Sequence, residues 1–272
     1  MEANSRRSAA ALVVFFGLLA VATLAGFLLP WRRAVASEEG AGIDLTITYL
    51  LVVTAIIMIA GHIVLIRFIW QSAKGGEVAY GRPSRRAEWA WSVVPVLVMT
   101  VLSEAGVLLV SGPVWDSLYA EVPRDPVVLE VAGKQFEWYV HYPGADGKLG
   151  EVDLRNVNEA DNLMGLGEFD KAARDDVVKR GQIYLPVGRP VVIRLRTFDV
   201  IHSFFVPEFR VKQDLLPGYP TRIKFTPTRE GTYELACAEL CGLGHYTMRG
   251  EVHVVSPADY EAWLKKQPTF GG

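Results

Sequence analysis

The first 110 residues and the remainder follow different hydrophobic patterns. Residues 9–29, 45–66 and 87–110 are almost wholly apolar. The first two runs carry no charge, and the second holds His62. The third has Glu88 at its start and Glu104 inside. Each has about 20 residues, and at about 1.5 Å rise per residue that length crosses a hydrocarbon core of about 30 Å. All three are therefore predicted to form spanning helices. From Val127 the pattern changes to short alternating runs at 127–131, 135–141, 183–185, 191–195, 222–225, 232–236 and 250–255, rich in Val, Ile, Phe, Tyr and Trp. Breakers such as Pro143-Gly144, Gly188, Pro217-Gly218, Pro227 and Gly231 separate them, which predicts an antiparallel β-sandwich or barrel. A closing helix is predicted over 257–265, with Ser256 as N-cap and Pro257 at the first helical position. Residues 151–180 break the rhythm. They are polar and acid-rich (Asp153, Asp161, Asp170, Asp175, Asp176) and predict a surface insertion with a helical turn.

Charge orients the helices. The loop 71–86 holds Lys74, Arg82, Arg85 and Arg86 against one acid, Glu77, and Arg67 precedes it. Basic loops stay cytoplasmic. The second span then runs inward, the third outward, and the domain after Ser111 lies outside the cytoplasm. Arg6 and Arg7 fit an N-terminus inside. The first run has a second reading, a secretory signal ending at Ala34-Val35-Ala36. Its length and Arg32-Arg33 stand against that, and the remaining topology is the same either way. The chain thus divides into an N-terminal span or signal over 1–36, a helical hairpin over 37–112 and a β-domain over 113–272.

Composition narrows the function classes. Asp and Glu total 30 against 28 Lys and Arg, so no basic surface invites nucleic acid. Only two cysteines occur, both in one segment, which is not a disulfide framework. No Cys-x-x-Cys-His is present to attach haem.

That cysteine segment carries the chemistry: Cys237-Ala-Glu239-Leu-Cys241-Gly-Leu-Gly-His245-Tyr-Thr-Met248. Two thiolates, an imidazole and a thioether form a soft ligand set, which selects copper over hard cations. A single blue-copper site needs one cysteine and two histidines. Here a second thiolate allows two bridged coppers, provided another histidine arrives from elsewhere. His202, in Asp199-Val-Ile-His202-Ser-Phe-Phe-Val-Pro207, is the candidate, placed between strands. A local disulfide and a zinc site remain alternatives at this point.

The segment resembles the binuclear copper loop of the cytochrome c oxidase subunit II family. The likeness extends to Asp199–Pro207, to Val211-Lys-Gln-Asp214-Leu-Leu-Pro217-Gly218, to Gly133-Lys-Gln-Phe136-Glu-Trp138 and to Glu88-Trp-Ala-Trp91-Ser-Val-Val-Pro95. It implies an N-terminal transmembrane α-helical hairpin followed by an all-β cupredoxin-like sandwich, with two copper ions bridged by Cys237 and Cys241. His202 and His245 would be terminal ligands, Met248 a weak axial ligand and the Glu239 carbonyl a further one. The Glu239 carboxylate would help hold magnesium or manganese at the interface with subunit I. Glu88 resembles the glutamate at the mouth of a proton channel. Implied partners are the haem-containing subunit I, subunit III, membrane lipid and a soluble or membrane-bound c-type cytochrome, at the bacterial inner membrane with the copper domain periplasmic. One departure stands out. Phe136 occupies the place of the family's electron-accepting tryptophan, and Trp138 is predicted to face the same side of a strand. Two other functions are carried forward: a nitric oxide reductase subunit with the same copper module, and a Sco-type copper chaperone, which needs a thioredoxin-like fold. Glu104 is expected to pack against subunit I.

Overall fold

The computed structural model describes residues 2–74, 83–122 and 125–271. Glu77 and Arg82 of the predicted cytoplasmic loop lie outside the described residues. The chain forms two compact units, Met1–Arg32 with Ile43–Val114, and Arg33–Gly42 with Trp115–Gly272.

The first unit is helical. It contains α1 (Glu2–Leu28), α2 (Glu38–Ala73) and a continuous run of α3 (Arg85–Val98), a π-helical segment (Met99–Ala105) and α4 (Gly106–Tyr119). All three predicted spans are thus helices long and apolar enough to cross a membrane. The helices run well past the apolar stretches because their caps lie in polar sequence. The Ser84 hydroxyl accepts from Ala87 N at 3.3 Å. Glu88 follows in the first turn of α3, where the helix N-terminus favours a carboxylate. The π-helical segment has a visible partner. Its widened turn leaves carbonyls without ordinary ladder bonds, and the Tyr49 hydroxyl of α2 donates to Leu102 O. Gly106 makes room, since a Cβ there would overlap the Tyr49 hydroxyl.

The second unit is a sandwich of two five-stranded sheets. Its strands are β1 (Val127–Lys134), β2 (Glu137–Tyr142), β3 (Val177–Arg180), β4 (Gln182–Pro186), β5 (Val191–Thr197), β6 (His202–Val206), β7 (Val211–Leu215), β8 (Thr221–Phe225), β9 (Gly231–Cys237) and β10 (Arg249–Val255). One sheet has the order β3-β2-β1-β5-β8 and the other β4-β10-β9-β6-β7. The pairs β1–β5 and β4–β10 are parallel, so the sandwich is mixed rather than purely antiparallel as the alternation suggested. Trp138, Tyr142, Phe204, Phe209, Phe225 and the aliphatic residues of both inner faces fill the core. The helix α5 (Pro257–Leu264) closes the domain, with the Ser256 hydroxyl accepting from Asp259 N at 3.1 Å.

Three strands escaped the sequence pattern. The first, β6, is apolar on both faces, and β7 is polar along most of its length, so neither alternates. The third, β3, hides at the end of the acidic insertion.

The domain also recruits residues before α2. The segment Arg33–Gly42, assigned by sequence partly to the N-terminal region and partly to the hairpin, packs with the sandwich. Ala36 is buried; its N–H donates to Glu208 O at 2.8 Å and its carbonyl accepts from Thr228 N at 2.9 Å. The Ser37 hydroxyl accepts from Gly40 N and donates to Phe209 O at 2.6 Å, so one side chain caps the first turn at Glu38–Gly42 and fastens it within this unit.

The insertion is a folded layer rather than a loose loop. Met164 and Leu166 pack with Ala132, Tyr139 and Ala173 on the outer face of the first sheet. Its acids hold backbone. Asp170 accepts from Glu151 N and Ala172 N, Asp175 from Asp146 N, and Asp176 from Gly144 N and Gly150 N. Asp176 also meets a fully buried histidine. His141 Nε2 lies 2.6 Å from Asp176, its Nδ1 lies 3.3 Å from Glu130, and Glu130 pairs with Arg196 at 2.6 Å. Both ring nitrogens thus face carboxylate oxygens, an arrangement that favours the doubly protonated imidazolium. Burial opposes that charge, but the bonds to Asp176 and Glu130 outweigh it and raise the His141 pKa above its ordinary value.

The sign of the linkage follows. A raised histidine pKa contributes stability that is complete below the unfolded value, about 6.5, and is lost as pH climbs through the folded value. Thermal unfolding of the full chain in detergent should therefore show Tm falling on the alkaline side, and His141→Ala should remove that dependence. Leaving two buried carboxylates short of a partner should cost about 3–5 kcal/mol. An alkaline Tm profile identical in the two proteins would refute the assignment.

Candidate metal centre

The centre is assembled by one strand pairing and one loop. Strands β6 and β9 are antiparallel, with Phe204 opposite Cys237. His202 is therefore the first residue of a strand, not part of a connection between strands. The loop from β9 to β10 is fastened at its base by Cys237 N donating to Met248 O at 3.1 Å and Ala238 N donating to Ser203 O at 3.0 Å. Inside it, a single turn of 3-10 helix over His245–Thr247 folds the chain back. Gly242 takes φ +136, a value L side chains rarely adopt.

This folding makes the soft donors converge. The sulfurs of Cys237 and Cys241 are 4.0 Å apart. Cys237 Sγ is 3.8 Å from His202 Nδ1, and Cys241 Sγ is 3.5 Å from His245 Nδ1. Met248 Sδ lies 3.8 Å from Cys241 Sγ, and Glu239 O lies 3.2 Å from Cys237 Sγ. His202, Cys237, Cys241 and Met248 are buried, while His245 is half-exposed at the rim. Both cysteines are free, and their separation is far beyond a disulfide length of about 2.05 Å. All five side chains singled out in the sequence thus meet, with the Glu239 carbonyl, around one space.

The electrostatics call for cations there. Burial opposes a charge on Cys237, but hydrogen bonds from His202 and from neighbouring backbone groups outweigh it and lower its pKa. Burial and the Cys237 thiolate push the Cys241 thiol up. That repulsion keeps Cys241 a thiol, and a cation between the two sulfurs would relieve it and allow both to ionise. Thiolate, imidazole and thioether together fit copper, so the residues present suit the group that the sequence implied.

Sequence reasoning passed over two supporting residues. The Asp199 carboxylate accepts from His202 Nε2 at 2.9 Å and from the backbone N–H groups of Gln135 and Val200. Burial opposes its ionisation, but these donors hold its pKa below the usual range. The bond keeps a proton on Nε2 and turns Nδ1 toward Cys237, the nitrogen that would face a metal. The Gln135 side chain donates to Cys241 O and braces the loop from outside. The signal for Asp199 was an acid three residues before the ligand histidine.

Phe136 and Trp138 turn out to be unlike. Lys134 pairs with Glu137, so Gln135 and Phe136 form the two-residue turn of a hairpin and strand alternation does not apply. Phe136 is partly buried and lies against the backbone of the loop between β9 and β10. A Cβ on Gly244 would sit 2.5 Å from its ring, and one on Gly242 would sit 3.2 Å away. Trp138 is wholly buried, edge-on to His202 with ring centroids 6.2 Å apart. It supports the ligand from inside and presents nothing to a docking partner, contrary to the expectation that it shared a face with Phe136. Glu88 lies exposed on the helical unit.

Fold and site define a membrane-anchored, cupredoxin-like protein with a soft-donor metal cage in its periplasmic domain. The family model described as "Cytochrome C oxidase subunit II, periplasmic domain" matches residues 127–255. The alternative cytochrome c oxidase subunit 2 of Bradyrhizobium diazoefficiens is 38% identical over 247 residues, spanning 89% of this chain and 86% of its own. The cytochrome c oxidase subunit 2 of Cereibacter sphaeroides is 28% identical over 229 residues, spanning 80% and 73%. Among solved structures, the periplasmic domain of subunit II of cytochrome oxidase (CoxB) of Bradyrhizobium japonicum aligns with 54% of this chain and 96% of its own, at 25% identity and a TM-score of 0.40. The chain belongs to the cytochrome c oxidase subunit 2 family and is a subunit of an oxidoreductase. A chaperone with a thioredoxin-like fold is excluded by the two-sheet sandwich.

Removing the Asp199 carboxylate should loosen the cage without touching a ligand. We expect Asp199→Ala to weaken copper binding about 10- to 100-fold in competition with a chelator, and Asp199→Asn, which keeps an acceptor, to weaken it much less. Equal affinity in Asp199→Ala and the unaltered protein would overturn that role.

Proposed function

We propose that this chain is subunit II of a proton-pumping cytochrome c oxidase. It accepts electrons from a c-type cytochrome at a binuclear copper centre and delivers them to haem in subunit I, where O2 is reduced to water. The observation that carries this reading is the meeting of two buried thiols, two imidazoles and a thioether within one fastened loop. When bound, the copper pair supplies a one-electron site whose charge is shared between two metals.

The chain's own residues do the rest. Cys237 and Cys241 would bridge the metals, His202 and His245 would terminate them, and Met248 and Glu239 O would be weak ligands. The bonds at the loop base hold these donors still, which keeps rearrangement on electron transfer small. Phe136, in close contact with Gly242 and Gly244, places a π-system against the loop. The exposed side chains Leu240, Leu243 and Tyr246 ring that loop and suit contact with protein partners. Nearby charges are already paired, Lys134 with Glu159 and Arg180 with Glu137. We place the protein in the bacterial inner membrane as a multi-pass chain, with subunits I and III as neighbours. The Glu239 side chain would serve a magnesium or manganese ion shared with subunit I, and Glu88 would serve a proton channel on the cytoplasmic side.

Copper-loaded protein is expected to be purple, with a mixed-valence EPR signal from one electron shared by two copper nuclei. A colourless protein holding one metal per chain would overturn the binuclear reading. In the assembled oxidase, Phe136→Ala should slow cytochrome c oxidation roughly tenfold, about 1.4 kcal/mol in the barrier, with the EPR signal kept and Phe136→Trp active. An unchanged rate in Phe136→Ala would remove Phe136 from the electron path.

A further inference from the structure

The end of the helical unit opposite the residues that lead into the domain holds a cavity of about 460 Å³. Arg6 and Ala10 of α1 and Trp70, Ala73 and Lys74 of α2 line it. The helices run in opposite directions in sequence, so the start of α1 and the end of α2 meet there. Ala10 and Ala73 are small and leave the gap open. Trp70 supplies an aromatic wall, and the Lys74 ammonium sits 5.6 Å from its ring centroid. Among the described residues, no ion pair neutralises Arg6 or Lys74. A cavity at the end of two apolar helices thus carries two positive charges beside an indole, with no acid paired to either among the described residues.

We infer that this cavity binds the headgroup of an anionic phospholipid. Its phosphate would sit between the Arg6 guanidinium and the Lys74 ammonium, with the first acyl carbons along Ala10, Ala73 and the Trp70 ring. Three physical features favour a lipid. Basic pockets between helices on the cytoplasmic side are suited to anionic headgroups. Tryptophan settles at headgroup depth, where one part of its ring is apolar and another wet. A free phosphate would satisfy the two cations but gain nothing from the apolar walls, whereas an amphiphile matches both. The inference rests on the reading that α1 and α2 span the membrane and that α1 remains on the mature chain.

The test uses the full chain in mild detergent, titrated with phosphatidylglycerol or phosphatidylethanolamine and read by native mass spectrometry. Phosphatidylglycerol should be retained at least about tenfold better, a difference of about 1.4 kcal/mol, and millimolar inorganic phosphate should not displace it. The double variant Arg6→Gln/Lys74→Gln should lose that preference, and Arg6→Lys/Lys74→Arg should keep it. Equal retention of the two lipids, displacement by inorganic phosphate, an unchanged preference in the glutamine variant, or a mature chain lacking Arg6 would each overturn the proposal. Labelling of Ser72→Cys in vesicles of known sidedness reports the topology separately, and the copper EPR signal of the same sample reports the metal centre. A failed lipid site is thereby distinguished from a failed reading of the protein.

Discussion

Everything at the metal centre depends on the antiparallel register of β6 and β9. Phe204 stands opposite Cys237, which sets His202 two residues away on the inner side and turns its Nδ1 toward the sulfur. A one-residue slip would send the His202 side chain to the other face of the sheet and leave the thiolates without their distant imidazole. The register is strongly specified because β6 is buried on both faces and Phe204 lies in the aromatic core against Trp138. The hydrophobic core therefore positions the candidate ligand His202, and Trp138 is part of that mould rather than of the surface.

Around the register, polar groups are arranged so that few buried charges stand alone. Asp199 orients His202 and is itself held by backbone N–H groups. Its partner Gln135 belongs to the same turn that presents Phe136, so ligand orientation and the outer aromatic contact share one hairpin. On the far side of the first sheet, His141 joins Glu130 and Asp176, while Asp176 binds the backbone of the insertion. The insertion carries five aspartates, which the sequence marks only as polar surface. In the fold most of them accept backbone hydrogen bonds, and the layer is held by those bonds and by Met164 and Leu166.

The helical and β units differ in how much of them a linear reading yields. Spanning helices announce themselves because a hydrocarbon solvent demands an unbroken apolar run. Strands with one wet face announce themselves by alternation, which is why β5, β9 and β10 were legible, while β1 was legible as a Val-rich run. The largely buried β6 and the polar β7 lack that signal. So does β3, which forms the last four residues of the insertion. The parallel pairs β1–β5 and β4–β10 were equally hidden, because strand order is decided by which surfaces bury one another.

The sequence by itself determined the membrane helices, the β-rich domain and the identity of the soft donors. Spacing within twelve residues is local chemistry and survives in the linear chain. Only the tertiary structure decided that His202 reaches Cys237, that Asp199 holds its Nε2 proton, that Phe136 lies outside and Trp138 inside, and that Arg33–Gly42 belongs to the sandwich. Each of these is a contact between residues far apart along the chain or across a turn. Such contacts follow from packing, in which burial of the core chooses the register and the polar groups must then find partners within it.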